Sequence, residues 1–120
     1  MNEETQRNAL QNLRSILSDY ASEEFARELG RGPINGLVDS NELYNIFWDF
    51  FEMFVPQPGA EWSSTLPDEI ERALTTFQAT LDDVMLNKPD YLSDATLVAS
   101  PAWGKVQSEA AALLHTLRDL

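Results

Sequence analysis

From Ile70 to Val84 the apolar residues stand at Ile70, Leu74, Phe77, Leu81 and Val84, spaced four, three, four and three. That spacing puts them on one side of a helix with 3.6 residues per turn, and the resulting seam has to be covered by other helices. The rhythm recurs at both ends of the chain. Leu10, Leu13, Ile16, Leu17 and Tyr20 form one stripe, and Trp103, Val106, Ala110, Leu113, Leu117 and Leu120 form another that runs to the C-terminus. No segment alternates with period two for long enough to make a strand.

Turn and cap signals divide the chain. Asn2 is a good first cap, with Glu3 and Glu4 set well for the helix dipole. Ser22 ahead of Glu23 and Glu24 reads as a second cap, where the chain bends and continues through Phe25 and Leu29 to Gly30. Gly30-Arg31-Gly32-Pro33 is a stop, and Asn35-Gly36 adds a turn. Asp39 with Glu42 three residues on has the form of a capping box that opens a helix through about Val55, closed by Pro56 and Pro58-Gly59. Pro67, at the first helical position with Asp68 and Glu69 beside it, begins the next helix, and Asn87-Lys88-Pro89 ends it. Residues 90–99 read as a short helix. Ser100-Pro101 then caps the last one. These signals predict an all-α fold: an antiparallel bundle of four main helices with one or two short extra helices, in one domain spanning 1–120, the first helix packed beside the last.

A chain of 120 residues buries enough surface to need no staple, and it has no cysteine to make one. Its opening residues lack the basic start and apolar run of a secretory signal, and no apolar stretch approaches a membrane span, so the cytoplasm is the expected location. Twenty acidic residues against eight basic ones give a net charge of −12. Such a field opposes direct binding to nucleic acid or to anionic membranes, and it steers basic proteins inward. Solubility alone accounts for the acidity equally well.

The charge is unevenly placed. Residues 32–71 contain no Lys or Arg, yet they hold Asp39, Glu42, Asp49, Glu52, Glu61, Asp68, Glu69 and Glu71. The same stretch carries Tyr44, Phe47, Trp48, Phe50, Phe51, Phe54 and Trp62. On the helix there, Leu43, Ile46, Phe47, Phe50 and Phe54 make one wide face, while Tyr44, Trp48, Phe51 and Val55 continue a second row. Asn45, Asp49 and Glu52 fall into a narrow polar strip. One reading buries this helix in the middle of the domain. The other leaves Tyr44, Trp48 and Phe51 partly exposed, rimmed by carboxylates, as a binding surface. Trp62, in a polar loop, either folds back over the core or adds an anchor beside that surface.

Catalytic chemistry finds little support. The lone histidine, His115, falls opposite the Leu113–Leu117 stripe and near Asp119, as a solvated surface residue would. With no second histidine and no cysteine, a Ser-His-Asp or Cys-His arrangement has nothing around it to support it, and zinc would need carboxylate-rich ligation around this one imidazole. Asp82-Asp83, Glu23-Glu24 and Glu3-Glu4 point about 100° apart on a helix and form no dyad. Asp49 and Glu52 share a face, which suits a hard cation or an acid–base pair, but a solvated helix edge explains them as well. No calcium loop or Gly-rich phosphate loop is present. The expectation is a protein that is not an enzyme and binds no cofactor or metal.

No family is legible in these motifs. In composition the chain resembles small, acidic, helical inhibitors such as bacterial toxin-immunity proteins. That resemblance implies a binding module that neutralises a basic partner, for example a nuclease toxin or a nucleic-acid-binding enzyme. The partner-binding residues would be Asp39, Glu42, Asp49, Glu52 and Glu61 for charge, with Tyr44, Trp48 and Trp62 as anchors. The alternative is a self-associating homodimer with a regulatory or adaptor role, its interface the aromatic row.

Overall fold

Four of the helices begin where a side chain accepts a hydrogen bond from the first turn's unpaired N–H groups. In a computed structural model describing residues 3–30, 39–89, 92–118 and 120, six helices form: α1 (Glu3–Ala21), α2 (Glu23–Gly30), α3 (Ser40–Phe54), α4 (Asp68–Asn87), α5 (Asp94–Val98) and α6 (Pro101–Leu117). No strand occurs among the described residues. Ser22 Oγ accepts from the Phe25 N–H at 3.1 Å, which caps α2 after a one-residue break from α1. Asp39 Oδ1 accepts from the Glu42 N–H at 2.8 Å and caps α3. Ser93 and Ser100 do the same for α5 and α6, at 3.2 and 3.3 Å. The Asn2 cap and the Gly30–Gly36 turn signals lie wholly or partly outside the described residues, as does Asp119.

Two boundaries differ from expectation by a residue or more. Pro67 is the cap of α4 and not its first helical residue: its backbone is extended, and its carbonyl accepts from the Ile70 and Glu71 N–H groups at 3.0 and 2.9 Å. The last helix ends at Leu117, so Leu120 leaves the stripe and is 46% exposed. The Arg14 side chain finishes that end. Its guanidinium donates to the Leu117 carbonyl at 2.8 and 3.2 Å and to the Leu120 carbonyl at 2.9 Å. A cation there satisfies orphan carbonyls and opposes the negative end of the helix dipole.

Each of the four long helices packs on two of the others, in the cyclic order α1, α3, α4, α6. Directions follow from which ends meet. Tyr20, late in α1, touches Trp103, early in α6, while Arg14 and Leu117 meet further along; the pair is antiparallel. Tyr44 near the start of α3 meets Asp82 toward the end of α4, again antiparallel. Met53 at the end of α3 shares a cavity with Gln6 at the start of α1. The chain therefore runs up, down, up, down around one core, as short connections favour. Helices α2 and α5 pack together over one end of the bundle. There Gly30 approaches so closely that an added Cβ would lie 3.4 Å from Val98 and 3.5 Å from Ala95. Ser40 ties the start of α3 to this cap by donating to Asp94 at 2.5 Å.

The centre of the core holds one aromatic ring from each long helix: Tyr20, Phe47, Phe77 and Trp103, all buried. Tyr20 meets the other three with ring centroids 5.7 to 6.3 Å apart, and Phe47 meets Phe77 edge-on at 5.3 Å. On α4 the buried stripe ends in Met85, where the spacing favoured Val84, which is half-buried. Both positions flank the stripe, and the longer, unbranched methionine reaches further inward. On α3 the buried residues are Leu43, Phe47, Phe51 and Phe54, followed by Val55, with Ile46 and Phe50 only half-buried. Phe51 thus belongs to the centre of the face and not to a partly exposed second row.

Candidate partner-binding surface

A helix that contributes one ring to the core and packs on two neighbours must turn a remaining strip outward. On α3 that strip lies opposite Leu43, Phe47 and Phe51, and it carries Glu42, Asn45, Asp49 and Glu52, all exposed. The carboxylates of Glu42, Asp49 and Glu52, and that of Glu61 in the following loop, have no hydrogen-bond or ion-pair partner among the described residues. Asp39, half-exposed, is committed to its cap. The strip is therefore an acidic edge with its charge available to solvent.

Tyr44 and Trp48 border this strip on the α4 side, each half-buried. Their polar ends turn inward. Tyr44 Oη donates to Asp82 Oδ1 at 2.6 Å, Trp48 Nε1 donates to the same oxygen at 2.9 Å, and Gln78 Nε2 donates to Oδ2. Trp48 also stands edge-on to Phe51 at 5.1 Å. Burial, then the bond to Asp82, pushes the Tyr44 hydroxyl pKa up to about 12. These rings pin α3 to α4 and leave only their outer edges to solvent. Asp82-Asp83 splits as the helix geometry requires: Asp82 turns to α3, while Asp83 accepts from Asn87 at 2.8 Å.

The strength of the pin can be measured. A carboxylate accepting three hydrogen bonds at a half-buried site contributes more than a neutral acceptor. Asp82→Ala is expected to lower the unfolding free energy by about 2–3 kcal/mol, which combines charge-assisted bonds with access of water to the donors left behind. Urea unfolding at neutral pH reads it. A loss below about 0.5 kcal/mol, the scale of ordinary surface substitutions, would mean that the three bonds do not hold the seam.

The loop from Pro56 to Pro67 crosses the end of the bundle opposite α2 and α5. Gly59 turns it with φ of +89°, a conformation that costs residues with a Cβ. Trp62 does not tuck over the core; it is 46% exposed. Its ring helps line a cavity of about 410 Å³ together with Gln6, Met53, Ser63 and Thr65. Gln6 donates from its side chain to Thr65 Oγ1, fastening the loop to α1. Glu52 and Glu61, the chain neighbours of the lining residues Met53 and Trp62, are both exposed.

The structure thus groups the sequence-derived residues unevenly. Trp62 lines the cavity, while Glu52 and Glu61 are exposed at the chain positions next to its lining residues. Asp39, Glu42 and Tyr44 lie at the other end of α3, about 15 Å away at 1.5 Å per residue, with Trp48 and Asp49 between. The cavity itself escaped the sequence reading, because Gln6 and Thr65 are 59 residues apart and neither carries a motif. His115 is exposed on α6. Among the described residues no group of three or more His, Asp or Glu side chains is placed to hold a metal ion, and no helix is long and apolar enough to cross a membrane. In comparisons with known proteins, no family model matches this chain, and neither does any curated protein or solved structure.

Proposed function

We propose that this chain is an acidic protein-binding module of inhibitor or immunity type, which neutralises a basic protein by offering carboxylates where that partner binds phosphates. One observation carries the reading: the carboxylates of Glu42, Asp49, Glu52 and Glu61, without a partner among the described residues, stand along α3 and the loop beyond it, with the exposed Trp62 next to Glu61 in that loop. Over residues 32–71 no lysine or arginine interrupts the field, and the chain as a whole carries −12. A one-signed surface raises the on-rate for an oppositely charged partner, while an accessible indole supplies the apolar contact that slows its release. Tyr44 and Trp48 act mainly by holding α3 in place, and add the outer edges of their rings to the contact.

The test is capture by the immobilised protein from a lysate of its source at about 0.05 M and about 0.5 M salt, a range over which exposed charges become screened. The expected result is retention of a basic protein at low salt, lost at high salt and lost from the Asp49→Lys/Glu52→Lys variant. Inhibition of that purified protein's own activity by the unmodified chain completes the case. Equal retention by the charge-reversed variant would refute the reading.

A further inference from the structure

The cavity beneath Trp62 has the chemistry of a cation site. Its apolar surfaces come from Met53 and the indole of Trp62, its polar ones from Gln6, Ser63 and Thr65, and no charged side chain among the described residues lines it. One N–H of the Gln6 amide is donated to Thr65, and the Gln6 carbonyl oxygen is an acceptor. Ser63 adds a hydroxyl, and Glu52 and Glu61 stand at the neighbouring chain positions, exposed and unpartnered. At about 410 Å³ the cavity falls at the small end of ligand pockets, which span roughly 300–1,000 Å³. Everything that would welcome a planar cation is present: an aromatic face, neutral acceptors within and two carboxylates outside.

We infer that this cavity receives an arginine side chain of the basic partner, stacked on Trp62 and flanked by Glu52 and Glu61; the inference rests on the acidic-module reading. Arginine fits better than lysine. A guanidinium lies flat on an indole, is weakly hydrated, and carries five fixed donors for the several acceptors here, whereas an ammonium is a compact, strongly hydrated charge. The side of approach is set by charge. Gln6 also borders a second groove with Glu3, Arg7 and Arg14, where two guanidiniums outweigh one carboxylate, so a cation is favoured from the α3 side. The site adds direction to an otherwise diffuse acidic field, because it fixes one point of the partner against the end of the bundle.

The experiment titrates the intact ¹⁵N-labelled chain with N-acetyl-arginine amide, and in parallel with its uncharged near-isostere N-acetyl-citrulline amide. The expected result is a shift of the Trp62 indole N–H and of the Ser63 and Thr65 amides with the arginine probe, and binding about tenfold weaker with citrulline. In Trp62→Leu the Ser63 and Thr65 amides should report a similar loss, with an unchanged far-ultraviolet spectrum showing that the fold survives. Glu52→Gln/Glu61→Gln should weaken the arginine probe and leave citrulline unaffected. Equal responses to the two probes, or shifts that bypass Trp62, Ser63 and Thr65, would overturn the inference. If capture still responds to salt and to Asp49→Lys/Glu52→Lys while the cavity ignores arginine, the acidic-module reading stands and this site falls. If the cavity responds but no basic protein is captured at low salt, that reading falls, and the partner's arginine is overturned as the occupant.

Discussion

Replacing Phe47 with alanine is expected to lower the unfolding free energy by about 3–5 kcal/mol, a large part of the roughly 5–15 kcal/mol that holds a domain of this kind folded. Phe47 is fully buried and sits where three helices meet. Its ring touches Tyr20 of α1 at 6.3 Å, Phe77 of α4 at 5.3 Å and Phe51 of its own helix at 5.8 Å. Aromatic partners on three sides cannot all relax into the vacated space, so the lost transfer energy is joined by the energy of a cavity. Phe50→Ala is the control. It belongs to the same face in the sequence pattern but is half-buried in the structure, and about 1–2 kcal/mol is expected for the smaller area withdrawn from water. Guanidinium midpoints with unchanged slopes would measure both. Similar losses at the two positions would contradict the observed rotation of α3.

That rotation marks where the sequence stops being informative. Caps such as Ser22, Asp39 and Ser100 are legible because their chemistry is complete within three residues, and each accepts from the first turn, although Glu42 does not return the second bond of a capping box among the described residues. The stripes of α1 and α6 are narrow, so only one rotation buries them. Between Leu43 and Val55, by contrast, only Asn45, Asp49 and Glu52 are polar, and the apolar arc is too wide to fix which part faces inward. The choice is made by side chains from elsewhere. Phe77 and Tyr20 meet Phe47, and Asp82 draws Tyr44 and Trp48 toward α4 from 38 and 34 residues away. No local rule connects positions so far apart.

The candidate surface divides in the same way. Exposure of Glu42, Asp49 and Glu52 follows from the helix period once the opposite face is buried. The role of Trp62 does not, because a loop has no period, and its position depends on Gln6 holding Thr65. Sequence placed Tyr44, Trp48 and Trp62 together as anchors. The structure separates them: two rings have their polar groups bonded internally to Asp82, while the third stands open at the end of the bundle. A signal for the first role was present in Gln78 and Asp82, four residues apart on α4, but such pairs are common on solvated helices.

The second large effect is expected at high pH, and it depends on Tyr20. This ring is buried at the meeting point of the four long helices, and its hydroxyl has no hydrogen-bond partner among the described residues, as is also true of the Trp103 indole N–H. Burial, with a smaller contribution from Tyr44, pushes the Tyr20 pKa far above its ordinary value of 10.0. Tyr44 is raised too, to about 12. Both groups hold their protons more tightly folded than unfolded. Their contribution is therefore complete below pH 10 and declines as the pH rises, through about 12 for Tyr44 and across the whole alkaline range for Tyr20. A fully protected tyrosine costs about 1.4 kcal/mol of stability per pH unit above 10, and Tyr44 adds less because water reaches its half-exposed ring. Urea midpoints between pH 8 and about 11.5 should fall accordingly. Tyr20→Phe separates the two sources. It keeps the ring contacts and removes only an unsatisfied hydroxyl, so at pH 8 it is expected to match or exceed the parent by about 1 kcal/mol, and its alkaline decline should shrink to the share of Tyr44. An unchanged decline would assign the loss to other groups. A variant weaker than the parent at pH 8 would show that the Tyr20 hydroxyl has a partner after all, with buried water between it and Trp103 the first place to look.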